Sequence, residues 1–475
     1  MMRIQQLYCA SMARTMSVAI LLAAVCLPAD GQTLPTSTSA AQAASSVDGT
    51  VEQRTNWHAQ STLIFQGTPA FPARYSGQNS LSDHGQIQHT LTADVFAGDR
   101  LSPGTEMHVD FLMWQGYGLS DTLGIEAFPN GDAYKLGTAS PNFAFARLFI
   151  RRTIGLGGPK EGVSDGPLTL AGKVDVSRVT FTVGRFAVTD IFDNNTYASD
   201  PHTQFMNWAM LANLAWDYSA DSIGYTTGAT IELNQPKWAL RYGFFQLPSV
   251  PNNFTAEDQI LMYPGRGADG PFWKSWAMAS EFERRYSVHA LPGSVRLLAW
   301  LNEADMENYQ AATHILLIQG PSADLSPSAA YRYKYGFGLN WEQAVGEGIG
   351  LFSRLGWNDG REEAWAYTDA NWTASLGASV TGTRWHRPGD TFGLAGVVSG
   401  ASSQNQAFLK AGGVGILDGD GALNYGCETA AETYYNARIG KTTQVTLDYQ
   451  FVDNPAFNRD RGPISILSAR LHWEL

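Results

Sequence analysis

The chain reads LSARLHWEL over residues 467–475, and this stretch decides the fold class. Leu467, Ala469, Leu471, Trp473 and Leu475 are apolar, while Ser468, Arg470, His472 and Glu474 are polar. A strict period of two marks a strand with one face in apolar and the other in polar surroundings. In a soluble protein such a strand would form an exposed edge, which sequences usually blunt. In a bilayer it would close a barrel, apolar side to lipid and polar side to lumen.

The N-terminus points to export. Arg3 and Arg14 precede the apolar run MSVAILLAAVCLPA (16–29), which is too short to span a bilayer, and small residues follow in ADG (29–31). This reads as a signal peptide over residues 1–31. Removing it takes Arg3, Arg14 and Asp30 from the 32 basic and 44 acidic residues, leaving a net charge of −13. That balance disfavours nucleic acid as a partner. Of the 3 cysteines only Cys427 lies beyond the signal, so no disulfide framework is expected. No later apolar run reaches the roughly 18 residues of a membrane helix. The chain is therefore exported and either soluble or a membrane barrel.

Residues 32–54 are rich in Ser, Thr, Ala and Gln and read as a flexible periplasmic leader. From residue 55 to 475, alternating runs punctuated by Gly, Asn, Asp and Pro predict one all-β domain. In SRVTFTVG, Val179, Phe181 and Val183 oppose Arg178, Thr180 and Thr182. In TQVTLDYQF, Val445, Leu447, Tyr449 and Phe451 oppose Gln444, Thr446, Asp448 and Gln450. In FAFARLFIRR, Ala146, Leu148 and Ile150 oppose Phe145, Arg147, Phe149 and Arg151. Arginine on the lipid face costs about 2–4 kcal/mol at mid-bilayer, so the arginines must face a wet lumen. Strands of about ten residues with turns and loops allow on the order of 16 to 18 strands. The 14 Trp and 19 Tyr suffice for two interfacial girdles.

One segment breaks the β pattern. SDPHTQFMNWAMLANLAWDYSAD (199–221) opens with Asp200-Pro201 as a candidate N-cap and first helical turn. Phe205, Ala209 and Ala212 or Asn213 recur at helical spacing, predicting a short helix in a long loop. That segment either packs the loop or folds into the pore mouth and narrows it.

Catalytic signatures are lacking. No nucleophile elbow, zinc helix or Walker loop occurs in the sequence, so no enzyme activity and no cofactor or metal is expected. GLGG (155–158) reads as a hairpin turn. DGDG (418–421) mimics part of a calcium loop but lacks the downstream bidentate Glu, and it too reads as a turn. Strand parity instead directs Arg147, Arg151, Arg178, Glu281 and Arg354 inward, as candidate substrate-binding residues of a pore constriction. Mixed charges suit the hydroxyls of a neutral polyol, whereas an arginine-only ring would favour anions.

Longer blocks carry a resemblance. GRFAVTDIFDNNTYASDPHTQFMNWAMLANLAWDYSADSIGYTTG (184–228), FSRLGWNDGREE (352–363), ETAAETYYNARI (428–439) and DYQFVDNPAFNRDRGPISI (448–466) resemble, in order, the OprB-type carbohydrate-selective porins. The resemblance implies a transmembrane antiparallel β-barrel of 16 strands in the bacterial outer membrane, with short helices in its loops. It implies passive diffusion of small sugars through a constriction lined by arginines with acidic neighbours. It also implies outer-membrane lipid and the barrel-assembly machinery as partners. Oligomeric state is not legible. Members of that family commonly finish on an aromatic residue, whereas this chain ends on Leu475 with Trp473 two places earlier. Two other readings stay open: a porin for other small solutes, and an exported soluble β protein that binds or cleaves glycans.

Overall fold

A computed structural model describes residues 52–133, 137–251, 271–366 and 368–475. The signal peptide and all of the leader except Glu52–Arg54 lie outside them. Eighteen strands form among the described residues, and sixteen close into one antiparallel barrel. The first four barrel strands are β1 (Thr55–Thr68), β2 (Gln86–Ser102), β3 (Thr105–Gly116) and β4 (Thr138–Gly155). A small hairpin of β5 (Lys160–Val163) and β6 (Gly172–Asp175) interrupts the sequence, and β7 (Arg178–Phe186) rejoins the barrel beside β4. The remainder are β8 (Thr226–Gln235), β9 (Trp238–Gln246), β10 (Trp276–Val288), β11 (Leu291–Glu307), β12 (Ala329–Gly346), β13 (Ile349–Asn358), β14 (Trp372–Thr381), β15 (Thr391–Gly400), β16 (Glu428–Ile439), β17 (Thr443–Asp453) and β18 (Ile464–Glu474).

The terminal strand has no edge to protect. β18 pairs with β17 on one side and β1 on the other, with Leu471 opposite Leu63 and Arg470 opposite Ile64. Leu467, Leu471 and Trp473 are exposed on the outer face, and Ser468, Arg470 and His472 are buried inside. Closure removes the unpaired backbone groups that lipid could not satisfy.

Turns and loops segregate to opposite ends. Pro103-Gly104, Pro236-Lys237 and Glu347-Gly348 join strands at the end that carries both described termini. Gly104 and Gly348 have φ +73° and +67°, a backbone region that L side chains resist, which suits tight hairpins. GLGG likewise turns, between β4 and β5, with positive φ at Gly157 and Gly158. The opposite end carries the long connections and, among the described residues, the helices Trp208–Leu211, Tyr309–Gln319 and Ser403–Lys410. Short periplasmic turns and long outer loops are the usual polarity of outer-membrane barrels. Exposed aromatics follow the same division: Trp57, Tyr435 and Trp473 near the turn end, and Tyr331, Tyr333 and Trp357 near the loop end.

Three expectations need correction. Phe145 does not share a face with Arg147, because a bulge pairs Asp110 with Arg147 but Phe111 with Phe145. The extra residue, Ala146, is buried inward instead of lying outside with Leu148 and Ile150. The helix near residue 200 spans only Trp208–Leu211 and is capped by the side chain of Asn207, not Asp200. Asp200 makes a local turn instead, accepting from the backbone N–H of His202 and the hydroxyl of Thr203. Finally, Cys427 is disulfide-bonded.

Candidate functional site

The long connection between β7 and β8, residues 187–225, folds into the barrel. Its apolar side chains, among them Phe192, Phe205, Met210, Leu214 and Trp216, pack within the clusters that fill the loop end of the lumen. Packing alone is non-directional, and polar groups of the wall fix the register.

Arg354 on β13 donates through Nε to Asp193 Oδ2 at 2.9 Å. Its terminal nitrogens reach the carbonyls of Met210 at 2.8 Å, Asp193 at 3.0 Å and Ala198 at 2.8 Å. Glu281 on β10 accepts from the Asp193 backbone N–H at 2.7 Å, and Glu342 on β12 from that of Thr196 at 2.6 Å. Asn340 donates to both the side chain and the carbonyl of Asp193, each at 2.8 Å. From the far wall, Glu432 accepts from the backbone of Met206 and Asn207 at 2.5 and 3.0 Å. Arg470 donates to the carbonyls of Pro201 and Gln204 at 2.5 and 3.0 Å. The loop is thus bolted to strands around most of the circumference.

Beneath it lies a cavity of ≈ 1410 Å³, running to the turn end. On one wall Arg147 sits between two acids. Its Nη1 donates to Asp110 Oδ2 at 2.6 Å, and its Nε and Nη2 clasp Asp190 of the loop, both at 2.8 Å. The guanidinium carbon lies 5.0 Å from the centre of the Tyr225 ring. Arg151, further along the same face of β4, donates to the Leu168 carbonyl at 2.8 Å and lies over Phe149 at 5.1 Å. Arg178 donates to Glu161 at 2.6 Å.

Three strands along the barrel from β4, on β9, Arg241 bridges Glu232, Glu281 and Glu283. Close by, Arg296 meets Glu342 at 3.0 Å. Where the loop approaches β18, His202 lies 3.2 Å from both Asp132 and Asp200. Burial disfavours its charge, but the two carboxylates outweigh burial and hold the imidazolium pKa well above its usual range.

The five candidates therefore divide. Arg147, Arg151 and Arg178 line the cavity. Glu281 and Arg354 do not; both meet at Asp193 and hold the loop. Sequence reasoning missed Asp110, Asp190, Arg241, Glu342 and Arg470 as partners. Parity already placed Arg470 on a polar face, and the same alternation in WALRYGFFQ marks Arg241. No local signal marks Asp190, whose role depends on the loop's path.

A closed barrel with an apolar outer face, a loop bolted inside and a charge-lined cavity defines an outer-membrane porin. Its family follows from the sequence: the family model of the carbohydrate-selective porins, OprB family, matches residues 78–475, and the chain belongs to that family. The high-pH structure of Pseudomonas putida OprB shares the fold, with 14% identity and a TM-score of 0.67 over 89% of this chain and 94% of that one. The outer membrane channel DcaP of Acinetobacter baumannii aligns at 10% identity and a TM-score of 0.47, over 89% of this chain and 97% of that one. No curated protein sequence matches the chain.

Proposed function

We propose that this porin passes small neutral sugars in preference to ions, by passive diffusion through the space beneath the 187–225 loop. The observation that carries this reading is Arg147 held between Asp110 and Asp190 beside Tyr225. Paired charges present donors and acceptors while leaving little net field, which suits hydroxyls better than ions. The Tyr225 ring borders the same space, with the Arg147 and Arg185 guanidinium carbons 5.0 and 5.6 Å from its centre. Arg151 and Phe149 repeat the pairing of cation and ring deeper in the cavity.

Single-channel conductance in a planar bilayer, titrated with glucose and a panel of mono- and disaccharides, tests this. Saturable current block by sugars supports a binding constriction. Open channels that no sugar blocks would leave a porin without sugar preference.

A further inference from the structure

The DGDG stretch lacks the downstream acid of a calcium loop, but the tertiary structure supplies acids from elsewhere. Asp418 meets Glu126 of the β3–β4 connection and Asp369 of the β13–β14 connection, and one oxygen of each lies within 4.8 Å of the other two. All three residues are buried, at 0, 0 and 1% exposure for Asp418, Glu126 and Asp369.

Their hydrogen bonds orient the set without completing it. Glu126 Oε1 accepts from the Ala370 N–H at 2.7 Å. Asp369 Oδ2 accepts from Ile416 and Leu417 at 2.8 and 2.9 Å. Glu126 Oε2 and both carboxylate oxygens of Asp418 accept no hydrogen bond among the described residues. Two carboxylates are thus held by backbone amides through one oxygen, and the third points into the cluster with both oxygens unmet.

A buried carboxylate without partners is unstable unless it takes up a proton or faces a cation. Burial, and after it the negative charge of Asp369, push the Glu126 and Asp418 carboxyls well above their usual range. A shared proton would link only two oxygens. Three oxygens within 4.8 Å instead match the reach of a single ion bound at roughly 2.3–2.6 Å. The carboxylates approach the backbone closely at Gly415, where a Cβ would lie 2.3 Å from Asp418 Oδ1 and 2.7 Å from Asp369 Oδ1.

We propose that Glu126, Asp369 and Asp418 bind one calcium-class divalent cation that fastens three outer loops over the barrel. Calcium fits better than magnesium because an irregular all-oxygen set tolerates its larger radius and flexible coordination. A fourth loop joins through Asn79, which donates to the carbonyls of Gly415 and Asp418, both at 2.9 Å. The cluster is anchored to the wall by Glu428, which accepts from the N–H groups of Glu126 and Ala127 at 2.9 and 2.6 Å. Sites of this kind bind the folded state alone, so the ion stabilises the loops by mass action.

The test uses the folded full-length barrel in detergent, stripped with a chelator and dialysed against calcium chloride. Metal content is read by elemental analysis and thermal stability by circular dichroism. One calcium per chain and a melting temperature raised by calcium are expected. Both should be lost in Asp418→Asn and in Glu126→Gln. Absence of bound calcium in the unmutated protein, with melting unmoved by calcium, would overturn the site. Asp418→Asn melting above the unmutated protein in the same buffer would also overturn it, as the mark of a protonated cluster. Should either variant fail to fold, calcium content and calcium-dependent melting of the unmutated protein still decide.

Discussion

Arg354 and Asp193 form an ion pair of 2.9 Å that joins the barrel wall to the loop inside it. Their side chains are only 1 and 4% exposed, so water screens neither. Because the same guanidinium also serves three loop carbonyls, one side chain fixes both the position and the local path of the loop.

Replacing Arg354 with Met should therefore leave Asp193 buried without its cation and loosen the loop. Breaking a buried pair from one side costs roughly 3–5 kcal/mol. The barrel strands keep their own ladder, so a folded channel is expected. It should show raised single-channel conductance and a lower denaturation midpoint.

Arg147→Ala should act on selectivity and not on shape. It leaves Asp190 at the cavity, and the buried Asp110 behind it, without their shared cation. Reversal potentials under a salt gradient should shift toward cation selectivity. Arg147→Lys keeps the charge but cannot clasp Asp190 through two nitrogens, so an intermediate shift is expected.

His202 makes the loop sensitive to alkali and not to mild acid. Its folded-state pKa lies above the unfolded value of 6.5. The stabilisation it supplies is complete below that unfolded value and is lost as pH rises through the raised folded one. Deprotonation leaves Asp132 and Asp200 without the charge between them. The His202-dependent part of the conductance should be flat through neutrality and change only on the alkaline side. The alkaline change should vanish in His202→Gln.

Outer-face positions should report lipid contact. Leu447, at the middle of β17, is 67% exposed. Leu447→Arg should destabilise folding into lipid vesicles by about 2–4 kcal/mol, whereas Leu447→Phe should cost little. Urea titration in vesicles measures both.

The sequence by itself pointed to a barrel, to the side most strand residues face and to the inward aim of the five charged candidates. The reason is local. In a strand, side chains alternate at a period of two whatever the partner, and lipid on one side and water on the other write that period into composition. Parity failed where the backbone departed from it, at the bulge of Ala146, because the pairing of Asp110 with Arg147 is settled by the neighbouring strand. The four-residue helix was misplaced for a similar reason: Asn207 caps it while its backbone N–H is held by Glu432, far away in sequence. Only the tertiary structure separated cavity-lining Arg147, Arg151 and Arg178 from the loop-holding Glu281 and Arg354. All five face inward, but whether an inward charge meets water or backbone depends on where residues 187–225 run. Likewise DGDG remains a turn in sequence and becomes one corner of a carboxylate cluster when Glu126 and Asp369 arrive from other loops. Alternation is a property of one chain segment; convergence is a property of closure, and closure brings together residues that no spacing relates.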